Sequence, residues 1–375
     1  MTENDFVPSI ASNAKNYSAQ EQKGGRIAWR SPSNIALVKY WGKANNQIPA
    51  NPSISFTLDT CATETIITYE KLDDASRGAI RDSCKQSFNL FFEGKPKPDF
   101  RPKIETFFGR TEKYFPFLKE YHLDIETSNS FPHSSGIASS ASGMSALALC
   151  LMDIEKQLYP DMEGDFFYWK ASFLARLGSG SACRSIVGPL AQWGFHEDIE
   201  GSSDLYGIPY PHKIHETFIH FQDTILLVDE GQKQVSSTVG HDLMHGHPFA
   251  ERRFDQAGAN LKALRPILAE GNLKDFIKIV EGEALTLHAM MMTGHPYFML
   301  MKPNTLEIIH KIWAFRESSK ANVCFTLDAG ANVHVLYPEN EKETVYEFIK
   351  NNLLMFCKNE KHICDRTGNG AKKLE

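Results

Sequence analysis

The sequence predicts an α+β protein in which helices cover one face of antiparallel sheets. Three observations point there. Period-two apolar runs recur along the chain, longer period-3.6 stretches recur among them, and the two kinds interleave without the strand-helix-strand rhythm that a doubly wound parallel sheet needs. From 26 to 69 the pattern is strand-like: Ile27 and Trp29, then 35–38, then Ile54, Phe56 and Leu58, then the β-branched 65–68. Pro and Asn around 48–52 punctuate it. Helical spacing follows at Ile104, Phe107, Phe108, Tyr114 and Leu118, and 123–127 alternates again. After a loop at 128–136, Ser139 and Ser140 open a helix that is apolar almost all round through Ile154. Such a helix is buried and can offer a ligand only its end. Further helices are expected at 166–177, 249–269, 273–291, 306–317 and 344–356, and strands at 190–195, 224–228, 323–327 and 333–337. The polar stretch 197–212 suggests a boundary, which divides the chain into a flexible leader (1–25), a first lobe (26–200) and a second lobe (201–375).

With 375 residues, 42% of them hydrophobic and 23% charged, the chain can bury a large core and a site within it. A net charge of −6 offers no overall attraction for nucleic acid or anionic lipid, so any bound anion must be met by local groups. The seven cysteines, at 61, 84, 150, 183, 324, 357 and 364, form no CxxC pair and match no histidine spacing. A reduced, cytoplasmic setting is expected. The stretch before Gly25 lacks the apolar core of a signal peptide, and the longest apolar run, 146–152, is far too short to span a membrane.

Four segments carry chemistry. The string Pro132-His-Ser-Ser-Gly-Ile-Ala-Ser-Ser-Ala-Ser-Gly143 sits between a predicted strand and the buried helix. Its small residues permit close backbone approach, and amides at a helix start can cradle phosphate. By composition alone a helix-packing seam serves equally well; the string is neither a Walker A loop nor GxGxxG. Ser31-Pro-Ser-Asn-Ile-Ala-Leu-Val-Lys-Tyr-Trp-Gly-Lys43 places two lysines and a tyrosine at a strand end, which suits an anionic substrate or a solvated terminus. Arg176-Leu-Gly-Ser-Gly-Ser-Ala-Cys-Arg-Ser185 offers the planar fork of Arg184 beside small residues. Phe325-Thr-Leu-Asp-Ala-Gly-Ala-Asn-Val333 ends a strand on Asp328, a position that also suits a turn former.

Together these strings resemble a known family. The first is similar to the ATP loop of the GHMP kinase superfamily, and all four, in order, are similar to signatures of the diphosphomevalonate decarboxylases. The resemblance implies a GHMP kinase-like two-lobed fold, a homodimer, and ATP with Mg²⁺ acting on mevalonate 5-diphosphate. It further implies that Asp328 accepts or orients the C3 hydroxyl proton, supported by Asn34 and Lys39, while Arg184 holds the carboxylate. Tyr40, Lys43, Ser179, Ser181 and Ser237 would grip the 5-phosphates. Ser134, Ser135, Gly136, Ala138, Ser139 and Ser140 would bind ATP, with Ser140 also a Mg²⁺ ligand.

Departures bear on substrate choice. Ala331 stands where the family often has Pro, and Pro52 where a second Ser is common. His295-Pro296 replaces Pro-Pro. In Val235-Ser-Ser-Thr-Val-Gly-His241 the last residue replaces Met, and His247-Pro248 replaces Thr-Ser. The rivals this leaves are a phosphomevalonate decarboxylase, a mevalonate 3-kinase, another GHMP kinase and a non-catalytic binding protein of the same fold. If His241 touches the terminal phosphate, its protonation below about pH 6.5 is expected to strengthen the preference for the diphosphate.

Overall fold

The computed structural model describes residues 1–8, 23–73, 76, 86–132, 137–229 and 237–374. Two long strands open the first sheet: β1 (Gly24–Val38) and β2 (Ser53–Lys71). It is completed by β3 (Phe88–Phe92), β4 (Lys95–Pro96), β5 (Tyr121–Asn129), β6 (Leu190–Trp193) and β7 (Ile208–Pro209). The second sheet holds β8 (Gln222–Leu226), β9 (Cys324–Thr326), β10 (Val333–Tyr337) and β11 (His362–Arg366), and a last strand, β12 (Lys372–Leu374), returns to β1. The order is β12-β1-β2-β5-β3-β4 in the first sheet, with β6 on β2 and β7 on β6, and β11-β8-β10-β9 in the second. All described pairings are antiparallel except β3 with β5.

The helices are α1 (Arg101–Thr111), α2 (Ser139–Leu158), α3 (Gly164–Gly178), α4 (Ser237–Asp242), α5 (Ala250–Glu270), α6 (Leu273–Thr293), α7 (Pro303–Ser319) and α8 (Lys342–Asn352). As its all-round apolarity predicts, α2 is buried, packed against β1, β2 and α3. Its few polar side chains are paired: Ser31 Oγ donates to Ser145 Oγ at 2.6 Å, and the Thr63 and Ser142 hydroxyls lie 2.6 Å apart. Paired hydroxyls at these points let a buried helix sit close to the strands.

Several expectations change on folding. The helical spacing read from Ile104 to Leu118 forms α1 only as far as Thr111 and continues in 3-10 turns. Beyond the last helix, α8, the strands β11 and β12 were not anticipated. The first sheet also draws on residues beyond position 200, since β7 pairs with β6 and β12 pairs with β1. Nor is the start of the leader loose. Glu3–Phe6 form a 3-10 turn, Phe6 is buried with its ring 4.4 Å from that of Phe173, and Glu3 accepts a hydrogen bond from the Tyr114 hydroxyl. One aromatic in a polar stretch has no periodicity to betray its burial.

Candidate active site

A cavity of about 740 Å³ opens where β1, β5, α1, α2 and the turn after α3 converge. That volume is within the range of small-molecule sites. Eleven of the residues singled out from the sequence line it: Asn34, Lys39, Tyr40 and Lys43 from the first segment, Ala138, Ser139 and Ser140 from the second, Ser179, Ser181 and Arg184 from the third, and Asp328 from the fourth. Ser134, Ser135 and Gly136 lie outside the described residues, as does the side chain of Ser237, whose backbone opens α4.

Local structure explains how each side chain arrives. The β1–β2 register shifts between Pro32 and Asn34 and again between Ala36 and Val38. Bulges of this kind re-aim side chains, and Asn34 and Ala36, each beside one of the shifts, line the cavity. Lys39 follows directly, its Nζ 3.0 Å from Asp328 Oδ1. Burial pulls the Lys39 ammonium below its ordinary value, and the Asp328 carboxylate opposes that pull. The backbone of Asp328 is also held, with the buried His288 imidazole 3.1 Å from its carbonyl.

Arg184 sits in the 3-10 turn Gly180–Ser185 and is buried. Its Nε donates to Ser55 Oγ at 3.0 Å, one Nη to Ser53 Oγ at 2.5 Å and the other to Asn34 Oδ1 at 3.4 Å. Asn34 is oriented in turn by Nδ2–H bonds to Ser185 Oγ at 2.7 Å and the Ser181 carbonyl at 3.1 Å. Burial drives the guanidinium below its ordinary value, and among the described residues no carboxylate lies within ion-pair distance of it. A desolvated cation held only by neutral groups is an anion site in waiting.

The Ser179 hydroxyl lies 3.2 Å from that of Ser140, joining the third segment to the start of α2. Ala138, the residue before that helix, is left-handed at φ 43°, and no described side chain caps the first-turn amides. The Tyr40 ring lies between those of His241 and Trp193, tilted to each, at centroid distances of 4.2 and 4.6 Å, and its buried hydroxyl has no described partner. A side chain at Gly180 would begin only 2.8 Å from that hydroxyl, so this tight approach requires glycine. Lys39, Lys43, Lys103, Arg110 and Arg184 face one lining carboxylate, Asp328, giving the described lining a formal excess of four positive charges in a chain whose total is −6.

Several contributors escaped the sequence reading. Glu283 is fully buried and takes a bidentate hydrogen bond from Arg253 at 2.5 and 2.9 Å. Glu283 Oε2 also accepts the Lys39 amide at 2.8 Å, while Arg253 donates to the Lys39 carbonyl at 2.9 Å. Asn51 adds a second bond to that carbonyl at 3.0 Å. The peptide carrying Lys39 is thus clamped on both sides by residues of α5 and α6, which no local spacing links to it. Ser53 and Ser55 were legible in principle: they form a polar period-two face opposite the apolar Ile54, Phe56 and Leu58, and this start of the strand is buried. His247 belongs elsewhere. Its ring accepts the Phe249 amide at 3.1 Å and faces the Met290 carbonyl at 3.1 Å, tying a turn to α6 rather than lining the cavity.

Residues 31–204 match the family described as diphosphomevalonate decarboxylase-like N-terminal domain, and 224–374 that described as mevalonate 5-diphosphate decarboxylase C-terminal domain. A diphosphomevalonate decarboxylase of Gibberella zeae is 27% identical over 339 residues, covering 85% of this chain and 83% of its own. That of Saccharomyces cerevisiae is 26% identical over 340 residues, covering 85% and 79%. Among solved structures, MDDEF in complex with MVAPP, AMPPCP and magnesium superposes with a TM-score of 0.77 at 27% identity, covering 93% of this chain and 99% of the other. Mevalonate diphosphate decarboxylase from Staphylococcus aureus gives 0.77 at 26%, covering 94% and 98%.

Proposed function

We propose, from the premise that this chain belongs to the diphosphomevalonate decarboxylase family, that its cavity takes ATP and mevalonate 5-diphosphate together and yields isopentenyl diphosphate, ADP, phosphate and CO₂. The observation that carries the reading is one arrangement: a lysine-paired aspartate and a buried arginine with no carboxylate partner among the described residues line the same cavity.

Those two groups match the two halves of the reaction. In the first, the C3 hydroxyl attacks the γ-phosphorus and gives up its proton, with Asp328 within reach as acceptor and Lys39 holding that carboxylate in place. In the second, the C3–O bond breaks with its electron pair leaving on phosphate. The pair of the C1–C2 bond becomes the C2–C3 double bond, and CO₂ departs. Arg184 would hold the C1 carboxylate until then, its own cost of burial offset by the charge it meets. Tyr40, Lys43, Ser179, Ser181 and Ser237 would take the 5-phosphates, with Arg110 a further cation on that lining.

The residues also fit the co-substrate and metal. Uncapped amides at Ser139 and Ser140 suit phosphate oxygens. Among the described residues no cluster of three or more His, Cys, Asp or Glu forms a protein cage for a metal. Mg²⁺, which prefers few protein ligands beside phosphates and water, would be held by Ser140 and would neutralise charge on the transferred phosphoryl group.

The test is to supply ATP, Mg²⁺ and each mevalonate phosphate in turn and to follow ADP and CO₂ together. Equal yields from the diphosphate are expected. ADP without CO₂ would identify a 3-kinase instead, and turnover confined to the monophosphate would identify a phosphomevalonate decarboxylase. We further take the chain to act as a cytoplasmic homodimer, in keeping with the family resemblance. The six described cysteines are all free thiols, and no described helix is long and apolar enough to cross a membrane. Sedimentation equilibrium at micromolar protein checks the dimer.

A further inference from the structure

The structure gives His241 a definite hydrogen-bonding state. This residue lies on the short helix α4 (Ser237–Asp242), preceded by Gly240. A side chain at Gly240 would begin 2.5 Å from the Trp41 ring, so the glycine lets the helix sit directly on that ring. His241 is thereby inserted between Tyr40 and Trp41, with ring centroids 4.2 and 4.7 Å away, and it lines the cavity.

Its Nδ1 lies 3.0 Å from the amide nitrogen of Gly42. An amide can only donate, so Nδ1 is the acceptor and the ring proton is on Nε2. Gly42 itself has φ +91°, a conformation open to glycine and one that turns its N–H toward the ring. Nε2–H has no described protein partner. The next residue, Lys43, also lines the cavity, as does the unpartnered Tyr40 hydroxyl's side chain.

We propose that His241 is a specificity-determining residue: a neutral, fixed Nε2–H donor that reads the terminal phosphate of the substrate and helps the chain prefer a diphosphate over a monophosphate. This rests on the decarboxylase reading of the same cavity. The neighbouring charges agree with a neutral ring. Burial first, then the Lys43 and Arg184 cations, push its pKa down to about 3. The expected gain in preference at mildly acid pH through a protonated His241 is therefore corrected: the ring would act as a dipole aligned by Gly42, not as a cation.

Two substitutions separate this role from a purely structural one. In His241→Asn the side-chain Oδ1 can replace Nδ1 as acceptor for Gly42, but nothing reaches the position of Nε2. In His241→Gln the amide extends to that position. The readout is the ratio of kcat/KM for mevalonate 5-diphosphate to that for mevalonate 5-phosphate. We expect the ratio to fall about tenfold in His241→Asn, the loss of one good hydrogen bond to a charged group, to recover partly in His241→Gln, and the KM for ATP to hold. An unchanged ratio in His241→Asn, or an equal loss on both substrates, would overturn the proposal. Should that variant not fold, ¹⁵N-edited NMR of the wild-type ring decides. Nε2 must be the protonated nitrogen and must shift when mevalonate 5-diphosphate is added, and a proton on Nδ1 would reject the idea. If the wild-type protein turns over neither substrate, the decarboxylase reading has failed. The same NMR experiment with inorganic diphosphate then tests His241 by itself: an unmoved Nε2 signal ends the proposal, and a shifted one sustains phosphate recognition.

Discussion

At the scale of single residues, identity and environment have to be read together. Asp328 could be singled out only through the family resemblance, since an aspartate at a strand end is by itself more often a turn former; the folded chain adds the Lys39 ammonium at 3.0 Å. Replacing Asp328 with Asn keeps the shape and removes both charge and proton acceptor. Turnover is expected to fall by roughly two orders of magnitude or more, with ATP affinity retained, as single-turnover rates and equilibrium nucleotide binding would show. Near-normal turnover would remove Asp328 from the chemistry. Histidine shows the limit of reading identity alone. Nothing in the letters around His241 or His288 says whether either is charged, yet burial pushes them to about 3 and about 4. The Cε1–H signals of both rings should therefore stay still between pH 8 and pH 5. Movement of either ring's signal with a midpoint near pH 6.5, the ordinary value, would contradict the neutral assignment.

At the scale of elements, the order of strands and helices was largely visible because a period of 2 or 3.6 is a local property, and α2 (Ser139–Leu158) declared its burial by being apolar on every side. Ends were less visible. Strand β1 closes in two register shifts that no periodicity announces, and the peptide it delivers is held by Glu283 of α6 and Arg253 of α5. This clamp carries a prediction. The pair is fully buried, so Glu283→Ala leaves an unpaired guanidinium and should lower stability by roughly 3 to 5 kcal/mol, measured as a shift of the urea midpoint. Under conditions where the variant remains folded, kcat should fall more than the KM for ATP rises, because the clamp holds Lys39 rather than the nucleotide. A variant as stable and active as the wild type would show the clamp to be dispensable.

At the scale of the whole molecule, linkage between burial and protonation gives a pH dependence with a definite sign. The folded values of His241 and His288 lie below the ordinary 6.5, so as pH falls the unfolded chain takes up protons before the folded one does. The stability held by keeping these rings neutral is complete above about pH 6.5 and is lost as pH falls toward 4, at up to about 1.4 kcal/mol per pH unit for each ring. Urea midpoints measured at pH 7 and pH 5 should show a smaller loss in His241→Asn than in the wild type; equal losses would exclude the contribution of that ring. The chain's ends show a second whole-molecule effect. Phe6 is buried in the first core, and β12 pairs with β1 while Lys373 meets Asp153 at 2.7 Å, so both termini belong to the first sheet's side of the protein. Neither feature has a local pattern long enough to read. What the sequence determined by itself is the chemistry available and its order: four short segments between 31 and 333, each recognisable because side-chain identity and close spacing are covalent facts. What only the tertiary structure decided is which of those groups meet and in which ionic state. Lys39 reaches Asp328 across 289 positions, and Arg184 and His241 owe their states to burial. Coulomb attraction and desolvation depend on distance in space and exclusion of water, which separation along the chain does not encode.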